Sequence, residues 1–100
     1  MRRFAKVDDN QPEIVKFFRD LGWTVAHTHM VGKGFVDIIV AKNGVNVLVE
    51  IKDEKKPPSA RKLTPDEQKF HEEWKGLIRI IESRQDVIDL DAYINLLVSV

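Results

Sequence analysis

Three residues in the middle of the chain, Asp37, Glu50 and Lys52, have the types and the spacing to bind a cation and act on a charged substrate. Asn43 and Gly44 separate two aliphatic runs, and an Asn-Gly pair in that position is typical of a two-residue hairpin loop because both residues must adopt positive φ. With that loop, Asp37 lies directly opposite Glu50 on the neighbouring strand. Cross-strand side chains are about 5 Å apart and like charges placed there repel, so the pair needs a positive partner.

Two interpretations of this acidic pair are open. A divalent metal ion with oxygen ligands would neutralise both carboxylates, with Lys52 alongside it. Alternatively, both acids face water at a strand end and Lys52 is only their counter-ion. The register also separates two faces of the hairpin, one of them charged at one end. The other face is expected to be aliphatic throughout and carries Val36, Ile38, Val40, Val45, Val47, Val49 and Ile51.

The order of Asp37 and then Glu50-Ile51-Lys52 resembles the D…(D/E)xK signature of the PD-(D/E)XK nuclease superfamily. The wider pattern is similar to the VRR-NUC branch, with a glycine-bearing lead-in at Gly32-Lys33-Gly34 and a helix start within residues 63–68. One departure is Val36, which stands where the proline of "PD" is often found. The resemblance covers most of the chain. It implies an α/β (α+β) fold of the restriction-endonuclease type, with an αβββαβ(α) core and a mixed four-stranded sheet flanked by helices.

The resemblance also implies metal-dependent hydrolysis of phosphodiester bonds in DNA. Asp37, Glu50 and the backbone carbonyl of Ile51 are then expected to bind Mg²⁺ or Mn²⁺. Lys52 would orient the attacking water or stabilise the transition state. Gln68, near the start of the second helix, is expected close to this site, where its amide could hold a water or the scissile phosphate. The alternative is that Gln68 faces solvent.

Glu13 has two interpretations. It is the fourth residue of Asn10-Gln-Pro-Glu13, a pattern typical of a capping box at a helix start. It also matches, by order and spacing, the first-helix glutamate that often lies near the metal in the superfamily. The sequence leaves both roles open.

Basic residues are expected to contact the phosphates of a nucleic acid. The net charge is formally zero, so the distribution of charge matters more than its sum. Lys55, Lys56, Arg61 and Lys62 form a cluster just beyond the Glu50–Lys52 strand, and no acid lies between the members of this cluster. Such a flank beside an acidic pocket suits a phosphodiester substrate, although a solvated loop would have the same composition. Lys33 could also reach a phosphate.

Length and composition indicate one domain over residues 1–100, with a flexible N-terminal arm over residues 1–9. The absence of cysteine excludes disulfides and thiolate chemistry. No apolar run approaches the roughly 20 residues that a membrane span needs, and we expect no membrane partner. We therefore expect an intracellular, cytoplasmic protein from a bacterial or phage-like context.

Hydrophobic periodicity predicts the elements that position the candidate site. We expect a first helix over residues 11–21, a strand over 23–30 and a second helix to about Lys75. The second helix starts with the pattern of a capping box, with Thr64 as N-cap, Pro65 at N1 and Glu67 at N3, and Phe70 and Trp74 are expected in the core. A strand over residues 77–82, parallel to the Glu50–Lys52 strand, follows. The final helix has a broad apolar stripe of Val87, Leu90, Ile94 and Leu97, widened by Ile88, Tyr93 and Leu96.

Histidines offer a further possible site. His27 and His29 share a face of the first strand, and a zinc site would need a third ligand, for which only His71 remains. A place along a nucleic-acid groove is the other interpretation.

Stand-alone VRR-NUC domains resemble structure-specific nucleases, so the resemblance implies resolution of four-way (Holliday) junctions. Two symmetric cuts favour a homodimer. The alternatives are a catalytically silent nucleic-acid-binding or assembly module, a sequence-specific restriction-type enzyme and a nuclease acting on RNA.

Overall fold

A computed structural model describes residues 7–98, and the helices and strands follow the order αβββαβα. This order confirms the expected α+β class with a mixed four-stranded sheet. The elements are α1 (Gln11–Asp20), β1 (Thr24–His27), β2 (Ile38–Lys42), β3 (Val45–Ile51), a short 3₁₀ turn (Pro58–Ala60), α2 (Pro65–Glu73), β4 (Ile78–Ile81) and α3 (Arg84–Val98).

The sheet has the strand order β1-β2-β3-β4, antiparallel except for the parallel pair β3–β4. Asn43 and Gly44 form the two-residue loop of the β2–β3 hairpin, with φ of 56° and 79°. Ile38 pairs with Val49 and Lys42 with Val45, which is the predicted register. The chain passes from β3 to β4 through α2, and the two strands are parallel, which confirms the predicted pairing.

The aliphatic face of the hairpin forms the centre of the core, as predicted. All of its members are fully buried except Val45, which is half-buried at the loop end. Two helices cover this face, because each has an apolar stripe of matching length. The buried helix residues are Ile14, Val15 and Phe18 of α1 and Val87, Leu90 and Ile94 of α3.

The two helix starts behave differently from one another. The Thr64 hydroxyl accepts a hydrogen bond from the Glu67 amide, and the Glu67 carboxylate accepts one from the Thr64 amide, so the predicted capping box of α2 is present. The capping box predicted for α1 is wrong. Asn10 has helical φ and ψ of −84° and −3° and no capping hydrogen bond, and its side-chain amide instead donates to the carbonyls of Lys52 and Glu82.

Three expectations about the helices and strands were wrong. Phe70 and Trp74 do not enter the core. Their rings stack on each other, and the ring of Phe70 contacts that of Phe35 on the face of the sheet opposite the core. The side chain of Trp74 remains 41% exposed. On α3, Ile88 and Leu97 are exposed because only one side of this helix meets the sheet. The first strand is shorter than predicted, because residues 29–34 leave the sheet in a bend and turns.

The predicted N-terminal arm is described only from Val7 onward, and its residues 1–6 lie outside the described part of the chain. Within the arm, Asp8 is held by an ion pair with Lys56 at 2.9 Å, and its carbonyl accepts a hydrogen bond from Gln11. None of the helices over residues 7–98 has the length and apolar character needed to cross a membrane.

Candidate active site

The backbone brings Asp37, Glu50 and Lys52 together at one end of the β2–β3 hairpin. Asp37 directly precedes β2, where its amide donates to the Val49 carbonyl at 3.2 Å. Its carboxylate accepts a hydrogen bond from the Ile51 amide at 2.7 Å, so one carboxylate oxygen is fixed by the neighbouring strand. Lys52 directly follows β3 and is held between β4 and the Asn10 side chain, since its amide donates to the Ile81 carbonyl and its own carbonyl accepts from Asn10.

The carboxyl groups of Asp37 and Glu50 lie within hydrogen-bonding reach of each other. The Glu50 side chain is only 4% exposed. Burial, and next the negative charges of Asp37 and Glu67, raise the pKa of Glu50 from 4.5 to about 9. Burial also raises the pKa of Asp37. Because the Glu50 carboxyl group is buried and the Asp37 carboxyl group beside it is half-buried, the two do not both ionise without a cation, so without one this pair retains a proton near neutral pH.

One oxygen of this pair has no partner. Glu50 Oε1 is buried and makes no hydrogen bond, whereas Asp37 Oδ2 is bonded to the Ile51 amide. An unpaired buried acceptor is costly, so this oxygen, beside a second carboxyl group, is a position where a cation would be favourable.

Lys52 provides the positive charge next to the pair. Its ammonium lies 3.6 Å from Glu50 Oε2 and 3.0 Å from Glu67 Oε1, and its side chain is only 11% exposed. Although burial lowers the pKa of Lys52, the hydrogen bond and charge of Glu67 outweigh it and the pKa is raised overall. The Thr64 amide and Lys52 likewise outweigh burial at Glu67 and lower its pKa. Lys52 and Glu67 therefore form a stable ion pair beside an acidic pair that has no full counter-charge.

Three residues close to Asp37, Glu50 and Lys52 were not predicted to lie there. Glu67 was interpreted only as a capping residue. His71, one helical turn later, has a buried Nε2 without a partner. Burial and the positive charge of Lys52 lower the pKa of His71 by more than the negative charge of Glu67 raises it. Asp8 is close enough for its charge to raise the pKa values of Asp37 and Lys52. The four-residue spacing of Glu67 and His71 is a helical signal that could have been used, whereas nothing around Asp8 indicated a folded position.

Two predicted site residues lie elsewhere. Gln68 is exposed, and its amide donates to Glu72 at 2.8 Å, because α2 is rotated so that Glu67 and His71 face the sheet. Glu13 is exposed as well, and its carboxylate lies 3.7 Å from Arg84 at the start of α3. The structure therefore brings neither residue into contact with Asp37 or Glu50.

The predicted basic flank is partly neutralised by ion pairs. Lys56 pairs with Asp8, and Arg61 pairs with Glu82 at 2.9 Å. Lys55 and Lys62 are exposed on the same connection between β3 and α2. Lys33 is exposed near the first turns of α2, with a positive φ of 56°. The cluster that looked uniformly basic in the sequence is thus mixed in charge.

The histidines do not form one site. The rings of His27 and His29 are 6.2 Å apart and border a groove against α1. His71 belongs instead to the group around Glu67. The expected third zinc ligand is therefore not beside the other two.

The donor set of the Asp37–Glu50 pair fits Mg²⁺ or Mn²⁺. Over residues 7–98, no group of three or more His, Asp or Glu side chains is arranged to hold a metal ion. Mg²⁺ does not need such a cage, because it usually binds one or two carboxylates and completes its coordination with waters and substrate phosphates. Two adjoining carboxyl groups with one unpaired buried oxygen meet that requirement.

Comparisons of this chain with protein-family models, with curated proteins and with solved structures found no match. The relation to nucleases that Asp37 and Glu50-Ile51-Lys52 indicate is therefore a hypothesis, which the chemistry of the site must support.

Proposed function

We propose that this protein is a metal-dependent nuclease that hydrolyses phosphodiester bonds in DNA. The single observation that carries the proposal is the closeness of the buried Glu50 carboxyl group to that of the half-buried Asp37, with the Lys52 ammonium 3.6 Å from Glu50. Perturbed pKa values and an unpaired buried oxygen are typical of functional sites, because a folded domain gains no stability from them.

Asp37 and Glu50, with the backbone carbonyl of Ile51, would hold one Mg²⁺ or Mn²⁺. A bound divalent ion lowers the pKa of a coordinated water and offsets the negative charge that develops on the phosphate. The contribution of the chain is to keep both carboxylates in place. The Ile51 amide fixes Asp37 Oδ2, and the strand fixes Glu50 with one oxygen unpaired.

Lys52 supplies the second requirement of hydrolysis. In this reaction a water oxygen bonds to phosphorus and loses a proton to solvent, the bond from phosphorus to the leaving oxygen breaks, and the leaving oxygen takes up a proton from solvent. An ammonium held beside the carboxylates can donate hydrogen bonds to the attacking water or to a phosphate oxygen, and it stabilises the charge of the transition state. Lys33, Lys55 and Lys62 are exposed and available to contact neighbouring phosphates.

We further propose that the substrate is a branched DNA, such as a four-way junction, and that two copies of the chain act on it as a homodimer. A pair of symmetric cuts requires two sites related by a two-fold axis. Support for self-association comes from exposed apolar side chains on α3, among them Ile88, Tyr93 and Leu97.

One observation favours a second candidate, a nucleic-acid-binding module without catalysis. The Lys52 ammonium already has a close carboxylate partner in Glu67, and Lys56 and Arg61 are also in ion pairs. A group that is fully engaged in the folded protein could serve stability alone. This candidate predicts DNA binding that is independent of metal and no cleavage.

The test is cleavage of a labelled four-way junction and of a matched linear duplex, each with Mg²⁺, Mn²⁺ or EDTA, by the wild type and the Asp37→Ala variant. We expect metal-dependent, symmetric nicking of the junction that the variant loses. Cleavage of both substrates would keep the nuclease and exclude junction specificity. Tight binding without cleavage would favour the second candidate, and undiminished cleavage by Asp37→Ala would exclude the assigned site.

A further inference from the structure

One oxygen of Glu67 serves two groups at once. Glu67 Oε1 accepts a hydrogen bond from the Thr64 amide at 2.9 Å and lies 3.0 Å from the Lys52 ammonium. The same carboxylate therefore closes the capping box of α2 and holds the lysine of the candidate active site. We propose that Glu67 is a positioning residue that fixes the Lys52 ammonium at the edge of the Asp37–Glu50 pair. This inference rests on the proposed nuclease function for its catalytic consequence.

The geometry explains why Lys52 needs such a partner. A lysine side chain has four rotatable bonds and a compact charge, so its ammonium has no fixed position unless it is hydrogen-bonded. At 3.6 Å from Glu50, the ammonium is within ion-pair distance but beyond a good hydrogen bond. At 3.0 Å from Glu67 it is hydrogen-bonded. Glu67 is therefore the contact that determines where the ammonium lies.

The position of the ammonium matters because a lysine could neutralise the acidic pair by itself. If Lys52 moved between Asp37 and Glu50, it would take the place that a divalent cation needs. Glu67 instead draws the ammonium to one side, and Glu50 Oε1 is left without a partner. Glu67 thus keeps the lysine near the carboxylates while leaving their unpaired oxygen available.

The start of α2 is itself fixed against the segment that leads into Asp37. A Cβ atom on Gly34 would lie 2.5 Å from the backbone oxygen of Asp66, so only glycine permits this close approach. Directly beside it, the rings of Phe35 and Phe70 are 5.2 Å apart. Because Asp66 precedes Glu67, the same contacts that position α2 also position the Glu67 carboxylate.

The experiment compares Glu67→Gln and Glu67→Ala with Thr64→Ala as the matched control. Thr64→Ala removes the hydroxyl that caps α2 but keeps the Glu67 carboxylate and its contact with Lys52. The first readout is the ammonium signal of Lys52 in ¹⁵N-lysine-labelled, metal-free protein, assigned with Lys52→Met. The second readout is the kcat and KM of DNA cleavage.

We expect the Lys52 ammonium signal in the wild type and in Thr64→Ala, and its loss through rapid proton exchange in both Glu67 variants. We expect kcat to fall roughly 10-fold in Glu67→Gln and about 100-fold in Glu67→Ala, with KM within about twofold. Thr64→Ala should stay within about twofold in both constants.

An unchanged ammonium signal in Glu67→Gln would overturn the proposal, as would equal losses of kcat in the Thr64 and Glu67 variants. If the wild type cleaves no substrate, the proposed function fails, and the ammonium signal still decides whether Glu67 positions Lys52.

Discussion

The two ends of the β2–β3 hairpin each carry a cluster of charged side chains, and the clusters differ in how well their charges are balanced. At the loop end, the Asp91 carboxylate accepts hydrogen bonds from the Lys42 ammonium at 2.7 Å, the Trp23 ring at 2.8 Å and Asn95 at 3.2 Å. Lys42 also donates to the carbonyl of Leu21. Every polar group of this cluster has partners.

At the other end, the numbers of acids and bases do not match. The carboxyl groups of Asp37, Glu50 and Glu67 lie around the single ammonium of Lys52, and Glu50 Oε1 has no hydrogen-bond partner. The pKa of Asp91 at the loop end and the pKa of Glu50 at the other end are shifted in opposite directions. The hydrogen bonds of Lys42 and Trp23 outweigh burial and lower the pKa of Asp91, whereas burial and like charges raise that of Glu50 to about 9.

The two clusters differ in their effect on the stability of the folded state. A balanced cluster such as Asp91–Lys42 stabilises the folded state through hydrogen bonds to ionised groups. An unbalanced cluster such as Asp37–Glu50 destabilises the folded state, and we expect a bound cation to relieve this cost. Breaking each cluster in turn should therefore have opposite consequences for stability and for activity.

The largest expected effect is on cleavage. Asp37→Asn and Lys52→Met should each lower the rate by a factor of about 100 or more, equivalent to about 3 kcal/mol of barrier, because each removes charge from the candidate active site. Asp91→Asn should leave the rate per folded molecule unchanged. The measurement is single-turnover cleavage at matched folded-protein concentrations, and an equal loss in Asp91→Asn would remove the distinction between the two ends.

The next effect is on stability at the balanced end. Asp91→Ala should lower the free energy of unfolding by about 2 kcal/mol, because it leaves the Lys42 ammonium and the buried Trp23 ring nitrogen without their acceptor. Urea denaturation measures this loss. The exposed Val31→Ala variant, with an expected change below about 0.5 kcal/mol, provides the control.

At the unbalanced end, a substitution that removes the charge should have the opposite sign. Glu50→Gln should raise the free energy of unfolding of the metal-free protein by about 1–2 kcal/mol near pH 8, because the folded protein no longer has to take up a proton at Glu50 to avoid a buried carboxylate next to Asp37 and Glu67. The same denaturation experiment tests this. A loss of stability in Glu50→Gln would mean that Glu50 is a structural ion-pair partner of Lys52.

The pH dependence of stability follows from the same shift. Between the ordinary pKa of 4.5 and the folded value of about 9, the folded protein holds a proton on Glu50 that the unfolded chain has released. The free energy of unfolding should therefore fall as the pH rises through this window, by at most about 1.4 kcal/mol per pH unit.

The groups that face Glu50 in this window are Asp37, Lys52 and Glu67, with Asp8 and His71 close by. Thermal unfolding of metal-free protein at several pH values should show the decline in the wild type and in Asp91→Asn but not in Glu50→Gln. The lowered pKa of Asp91 has the opposite sign, since its stabilisation is lost only as the pH falls through the folded pKa of Asp91. A profile in Glu50→Gln that matches the wild type would exclude Glu50 as the source of the decline.

The sequence was sufficient to predict the hairpin and its two faces because the signals there are local. Asn43-Gly44 determines the loop, and the aliphatic residue at every second position of each strand determines which side is buried. Thr64, Pro65 and Glu67 predicted the start of α2 for the same reason. These features depend on neighbours in the chain.

The composition of the site was predicted only in part, because it depends on how separate elements are placed. Asp37, Glu50 and Lys52 followed from the hairpin register. The choice of Gln68 over Glu67 failed because capping signals locate a helix start but leave its rotation about its axis undetermined, and the Phe35–Phe70 contact determines that rotation. Asp8 could not be predicted, since its position depends on a long-range ion pair with Lys56.

The most direct test of the central claim is a titration with Mn²⁺, followed by electron paramagnetic resonance of the free ion, for the wild type, Asp37→Ala and Asp91→Ala. If the unbalanced end is a metal site, the wild type and Asp91→Ala should bind Mn²⁺ saturably and Asp37→Ala should bind it at least about 10-fold more weakly. Equal affinity in all three proteins, or no saturable binding in the wild type, would exclude a metal site at Asp37 and Glu50.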